Sequence, residues 1–255
     1  MERIESLQNK QVKEWKKLLT RRGRKKQGRY LIEGLHLVEE ALKSSAEVET
    51  LIIREDKRED YLELIEKNTV KAVEVTEEIS GMLSDAVTEQ GILAVVKNQE
   101  TRESFIGDKP VLMLDEVQDP GNLGTLIRTA DAAGFEGVII GKGSVDLYNP
   151  KALRSAQGSH FHMRIIHDEL DHWITSFKEK NMPVYGTALD ERAISYRDVT
   201  CQDRFALIVG NEGSGVDPKI LELTTDNLYI PIKGQAESLN VAIAAGILMF
   251  SLYNS

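Results

Sequence analysis

The strongest constraint on this chain is a set of short, almost wholly apolar runs spaced by helix-length segments. Residues 111–114, 137–140 and 206–209 contain no charged or amide side chain. A strand written that way is buried on both faces, which is the habit of a parallel sheet flanked by helices. The pattern predicts strands at 111–114, 137–140, 163–166, 184–187, 205–209 and 228–230. It predicts helices at 123–133, 151–156, 169–179, 218–223 and 239–252. In such sheets ligands bind where strands end and helices begin.

The first hundred residues behave differently. All six prolines lie at or beyond Pro110, and most of the 19 glycines lie beyond Gly107. A helix is expected over 9–20, with Val12, Trp15, Leu18 and Leu19 on one side. Strands at 30–32, 48–53, 72–75 and 92–96 alternate with helical stretches around 35–42, 58–67 and 79–83, a small α/β layer sandwich. Residues 98–106 are polar without periodicity and read as a linker. The expected domains are therefore 1–97 and 107–255, and 255 residues are enough for two cores.

Charge narrows the partners. The net charge is −9, yet residues 1–30 hold eleven Lys or Arg against three Glu, leaving −17 for the remainder. Such asymmetry marks either a phosphate-binding patch on an acidic body or a solvated basic helix. The longest apolar stretch, 239–252, is too short to span a bilayer, and Met1–Glu5 carry no signal-peptide apolar region, so export is not expected. The single cysteine, Cys201, excludes an internal disulfide and a zinc site built on cysteine pairs. The expected compartment is the cytoplasm. The final helix is apolar nearly all round, so it needs cover from its own core plus a second source; a partner subunit supplies that, and a homodimer is expected.

Three turns carry the chemistry. Gly210-Asn211-Glu212-Gly213-Ser214-Gly215 follows an apolar run, and its glycines allow positive φ and close approach to a ligand. It lacks the Lys-Ser/Thr ending of a P-loop and the spacing of a dinucleotide loop, and Glu212 would repel phosphate. A neutral or cationic ligand fits better. Ile230-Pro231-Ile232 then Glu237-Ser238-Leu239-Asn240 forms a rigid strand exit, with Ser238 as the expected cap of the last helix and Asn240 in its first turn. Asp119-Pro120-Gly121-Asn122-Leu123-Gly124 opens another helix, with Asn122 as its expected cap. Arg128 stands further along it and needs either a carboxylate (Asp131 or Glu212) or a substrate phosphate. Elsewhere, His160 and His162 read as ordinary histidines, Arg154 as an RNA contact or a structural cation, and Cys201 as inert.

Asn-x-Gly-x-x-x-Arg after Asp-Pro-Gly, then Val-Gly-Asn-Glu-Gly-Ser-Gly, then Ile-Pro-Ile with Glu-Ser-Leu-Asn-Val resembles the signature motifs of the SpoU (TrmH-like) family, RNA ribose 2′-O-methyltransferases of the SPOUT superfamily. The likeness is strong over 109–255 and weaker at Gly28–Gly34 and Glu89–Ile92. It implies a parallel-sheet domain closed by a trefoil knot, against the usual rule that chains do not thread, with a smaller N-terminal α/β (L30e-like) substrate-binding domain. It also implies S-adenosyl-L-methionine as cofactor, RNA, above all ribosomal RNA, as substrate, and a dimer with shared sites. By motif, Gly210, Ile230 and Leu239 would hold the cofactor through main-chain groups, with Thr187 nearby. Asn122, Arg128, Glu212, Ser238 and Asn240 would form the catalytic set, Glu212 orienting Arg128 as its ion-pair partner. A transfer-RNA methyltransferase and a non-catalytic RNA-binding or ribosome-assembly factor stand as alternatives.

Overall fold

The structure, a computed structural model, describes residues 1–86, 88–98, 105 and 107–253. Of the expected linker, 98–106, only Asn98 and Phe105 are among the described residues; the rest of it lies outside them. The chain divides into two units, Met1–Glu100 with Asp146–Phe161 and Thr101–Val145 with His162–Ser255.

In the first unit the elements run β1 (Glu2–Ile4), α1 (Lys10–Lys17), α2 (Arg21–Gln27), β2 (Arg29–Glu33), α3 (Leu35–Lys43), β3 (Val48–Arg54), α4 (Leu62–Lys67), β4 (Lys71–Val75), α5 (Glu77–Leu83) and β5 (Ile92–Lys97). The strands form one sheet in the order β1-β4-β3-β5-β2. β1, β4 and β3 are parallel, and β5 runs antiparallel to both β3 and β2. Asn9 fixes the start of α1 by accepting the Gln11 N–H at 2.7 Å, so Val12, Trp15 and Leu18 turn inward onto Ile52, Val73 and Val95. Two elements lie outside the expectations. β1 is only three residues long, and α2 (Arg-Arg-Gly-Arg-Lys-Lys-Gln) has no apolar residue to set a period.

The second unit holds β6 (Val111–Leu114), α6 (Pro120–Ala132) and β7 (Gly137–Ile140). After the excursion that carries α7 (Pro150–Ala156), it continues with β8 (Arg164–His167), α8 (Leu170–Glu179), β9 (Val184–Thr187), β10 (Ile194–Ser195), β11 (Ala206–Val209), α9 (Pro218–Leu221), β12 (Asp226–Tyr229) and α10 (Val241–Leu252). The sheet order is β10-β12-β9-β11-β6-β7-β8, every pairing parallel. Residues of β6, β7 and β11 are buried throughout. Met113, Ile139 and Ile208 pack with Leu170, Ile174 and Phe177 of α8. α6 and α10 pack against each other and onto β7 and β11 respectively, which covers the opposite face. The two-residue β10 is too short to leave a pattern. Residues 159–161 form a short 3-10 turn before β8.

Residues 146–161 lie within the expected second domain but group with the first unit, for a physical reason. Leu153 and Phe161 join Tyr30, Ile32 and Val38 in one apolar cluster. The Arg24 guanidinium, 5% exposed, pairs with Asp146 at 2.6 Å and donates to the Leu18 carbonyl at 2.8 Å. That pair ties α2 to the 146–161 segment. A buried cation left without its carboxylate is costly, so Asp146→Ala is expected to lower stability by about 3 kcal/mol, read as a reduced urea midpoint at unchanged slope. An unchanged midpoint would mean that the pair holds nothing.

Candidate active site

Beyond β11 the chain doubles back on itself. Asn211 and Gly215 exchange backbone hydrogen bonds, each 2.9 Å. The Asn211 side chain organises the turn inside them: Oδ1 accepts the N–H groups of Gly213 (2.9 Å) and Ser214 (3.1 Å), and Nδ2 donates to the Glu116 carbonyl at 3.0 Å. The glycines serve different ends. Gly215 alone of the three has positive φ, 74°. At Gly210 a Cβ would stand 2.2 Å from the Gly215 carbonyl carbon and the Val216 nitrogen, because backbone crosses backbone there. The loop exit is pinned by Asp115, whose Oδ2 accepts the Asp217 N–H at 2.8 Å. Burial pushes the Asp115 carboxyl above its ordinary range, against that N–H.

Two helix starts differ from expectation, and the difference builds the site. α6 is capped by Asp119, which accepts the Asn122 N–H at 2.9 Å; Pro120 takes the first helical position, where its missing N–H costs nothing. α10 is capped by Asn240 rather than Ser238, its Oδ1 accepting from Ala242 (2.9 Å) and Ile243 (3.3 Å). Relieved of capping, the Asn122 side chain bridges. Its Oδ1 accepts from Asn240 Nδ2 at 3.0 Å, and its Nδ2 donates to Glu212 Oε1 at 2.9 Å. Glu212 also accepts the N–H groups of Asp119 (3.0 Å) and Gln118 (3.1 Å). Burial opposes the Glu212 charge, but the Asn122 amide and these N–H groups outweigh it and hold the carboxyl below its usual range.

Glu212 is therefore not the partner of Arg128. Nor is Asp131, which lies 3.6 Å from His162. Arg128 is exposed and makes no hydrogen bond or ion pair among the described residues. It stands six residues past Asn122, about 9 Å further along the helix axis.

A cavity of about 660 Å³ opens between these turns, within the usual range of small-molecule sites. Thr187, Gly210, Ile230, Ser238 and Leu239 line it, as do Glu212 and Asn240; Asn122 reaches it only through those two. Its apolar wall comes from Leu228, Ile232, Val241 and Leu248. The charged lining residues are Asp190 and Glu212, and no Lys, Arg or His lines it among the described residues. A phosphate would meet no cation among the described lining residues, whereas a positively charged ligand would meet the carboxylates of Asp190 and Glu212. The sequence reading gave no role to Asp190, Asn211, Asp119 or Gln118. Asn211 was recoverable, since an Asn side chain in a turn can bond the backbone two residues on, here the Gly213 N–H; the Gln118 and Asp119 contributions are backbone N–H groups, which no residue type announces.

The sequence model of the SpoU rRNA Methylase family matches residues 109–250, more than half of the chain. The chain belongs to this family. The model of the MRM3-like substrate binding domain matches residues 9–94. The 23S rRNA (guanosine(2553)-2′-O)-methyltransferase RlmP of Bacillus subtilis is 46% identical over 252 residues, 99% of either chain. Among solved structures, an RNA 2′-O ribose methyltransferase matches with a TM-score of 0.84 at 32% identity, covering 98% of this chain and 97% of that one. An AdoMet-bound rRNA methyltransferase from Sinorhizobium meliloti matches with a TM-score of 0.87 at 28% identity, over 98% and 97%.

Away from the cavity, the remaining residues have local roles. His160 is buried beside the Tyr30 hydroxyl, 3.5 Å away. Arg154 pairs with Asp85 at 2.7 Å, and Cys201 Sγ lies 3.3 Å from the Ser251 carbonyl. No group of three metal-ligating side chains occurs among the described residues.

The crossing at Gly210 sets a contrast within one loop. Gly210→Ala must push the crossing backbone segments away from each other. It is expected to lower stability by about 1–3 kcal/mol and to abolish calorimetrically measurable S-adenosylmethionine binding. Gly213→Ala, whose Cβ would meet only Asn211 Oδ1 at 3.5 Å, is expected to retain both.

Proposed function

We propose that this protein transfers the methyl group of S-adenosyl-L-methionine to a ribose 2′-hydroxyl of ribosomal RNA. The observation that carries the reading is a cavity that no Lys, Arg or His lines among the described residues, with the Asn240–Asn122–Glu212 hydrogen-bond chain at its edge. When bound, the cofactor supplies a methyl group on positively charged sulfur. Main-chain groups of Gly210, Ile230 and Leu239 would hold it, with the Thr187 methyl alongside, since the Thr187 hydroxyl is engaged by the Ile208 carbonyl at 3.1 Å. The likeness to a relative named for a guanosine of 23S RNA makes the corresponding nucleotide the first target to examine.

Asn122 and Asn240 fix the edge of the site, with Ser238 exposed at its rim. Arg128 grips the phosphate next to the reacting ribose and stabilises negative charge developing on the 2′-oxygen. It does not take the proton, because guanidinium has no lone pair to offer. A phosphate oxygen or a water accepts it.

Arg128 does not line the cavity of its own chain, and this fits a homodimer with shared sites. Ile243 and Phe250 are 59% and 61% exposed; with Ile247 between them they form an apolar stripe at helical spacing on α10. α10 packs on α6, the helix that carries Arg128. A seam along this stripe would bring Arg128 to the partner's cavity. The convergence of the 210–217 and 230–240 turns on the starts of α6 and α10 is what a trefoil knot would produce, and we include the knot in the proposal. No helix among the described residues is long and apolar enough to cross a membrane, and the cytoplasm, where ribosomal RNA resides, is the proposed compartment.

Arg128→Lys keeps the charge but loses the planar fork, and is expected to cut kcat about a hundredfold while leaving S-adenosylmethionine affinity unchanged. Near-normal transfer would remove Arg128 from this role. For the shared site, Arg128→Ala and Gly210→Ala chains, each inactive alone, are expected to regain up to a quarter of full activity when co-expressed, on the order of one intact site per mixed dimer. Failure of complementation, or a monomer in sedimentation, would sink the dimer. Mapping of 2′-O-methyl groups in ribosomal and transfer RNA from cells with and without the protein identifies the substrate.

A further inference from the structure

The basic stretch at the N-terminus folds into two consecutive helices, and their surface is not absorbed by the reaction chemistry. Arg24 is buried against Asp146, Arg29 pairs with Glu49 and Lys17 with Glu14. Seven cations are left exposed without an ion pair among the described residues: Lys10, Lys13 and Lys16 on α1, and Arg21, Arg22, Lys25 and Lys26 on α2. On α1 they repeat every third residue, outside the buried Val12 and Trp15. An open groove runs beside them, lined by Lys10, Lys13, Lys16 and the Lys17–Glu14 pair together with Gln8, Leu19 and Thr20.

What this surface lacks defines its partner. No large apolar side chain is exposed on α1 or α2, so nothing would enter a lipid interface. Nor do α1 and α2 offer an exposed ring for stacking. Trp15, Tyr30, Tyr61 and Phe161 are all under 9% exposed, and Tyr148 is stacked on Tyr30 at 4.2 Å. Single-stranded bases are held chiefly by such rings. Cations spread along two helices without rings suit a polyanion's phosphates and carry no base information.

We propose that the α1–α2 surface docks RNA through its phosphates alone. It sets how firmly the RNA is held and leaves the choice of nucleotide to other regions of the protein. This rests on the reading that RNA is the substrate, but its test does not require methyl transfer.

The experiment compares two full-length variants of equal charge. One carries Lys10→Gln, Lys13→Gln, Lys16→Gln and Lys26→Gln. The control carries Lys43→Gln, Lys57→Gln, Lys67→Gln and Lys71→Gln, four lysines of the same unit that are each paired with a carboxylate. Binding to a ribosomal RNA fragment and to a scrambled RNA of equal length is followed against salt, without methyl donor. The patch variant is expected to weaken both RNAs by the same factor, about tenfold or more at 0.1 M salt, and to lower the slope of log K against log salt by about three. The control is expected to stay within about threefold of the wild-type protein. With saturating RNA, the patch variant should keep its kcat and the same modified nucleotide, its loss confined to KM. A patch variant that binds RNA like the control overturns the proposal, as does one whose loss depends on sequence. Wild-type protein that prefers phosphatidylserine vesicles to RNA would assign the surface to a membrane and overturn it too. If methyl transfer is absent while the salt slope changes as stated, the reaction reading fails and the docking surface stands.

Discussion

One carboxylate sets the geometry of the site. Glu212 sits in the loop after β11, yet its oxygens accept N–H groups from Gln118, Asp119 and the Asn122 side chain, about ninety residues earlier in the chain. Through Asn122 it reaches Asn240 and the start of α10. Three segments far apart in sequence thus meet at one charge. The amides in this chain have no choice of orientation. Asn240 uses its oxygen on its own helix and its NH₂ on Asn122, so Asn122 must turn its oxygen to Asn240 and its NH₂ to the carboxylate. Such a connected network favours one arrangement of the three side chains.

The same contacts reconcile an apparent conflict in the loop. A carboxylate near a glycine-rich turn argues against an anionic ligand, but it also has to be satisfied when the cofactor is absent. Here it is, by donors from the neighbouring turn. The glycine at 210 then serves closeness rather than flexibility, and only the one at 215 serves the left-handed backbone.

Much of this was legible in the sequence. Apolar runs gave the parallel strands, and helical spacing placed α1, α3 and α8, because in those elements a buried face repeats at the period of the backbone; α10 was placed by the length of its apolar run. The elements that escaped have no such face. α2 is wholly polar, and β1 and β10 are three and two residues long. The cavity residues came from motif likeness, and they do converge on one cavity. The caps did not follow, since Asn122 and Ser238 are as good capping residues as Asp119 and Asn240. The choice between them is made by Pro120, which belongs at the first helical position, and by the long-range bond from Asn240 to Asn122. The pairing of Arg128 with Glu212 failed because backbone N–H groups, invisible in a sequence, had already taken the carboxylate.

The excursion at 146–161 bears on how this protein could be divided. Because that segment groups with the first unit, the chain passes between the units three times: near residue 100, at 145–146 and at 161–162. Excising the N-terminal hundred residues would leave Leu153 and Phe161 without their apolar neighbours and Asp146 without its guanidinium. A catalytic fragment cut at that point would carry a sticky, unpaired scar.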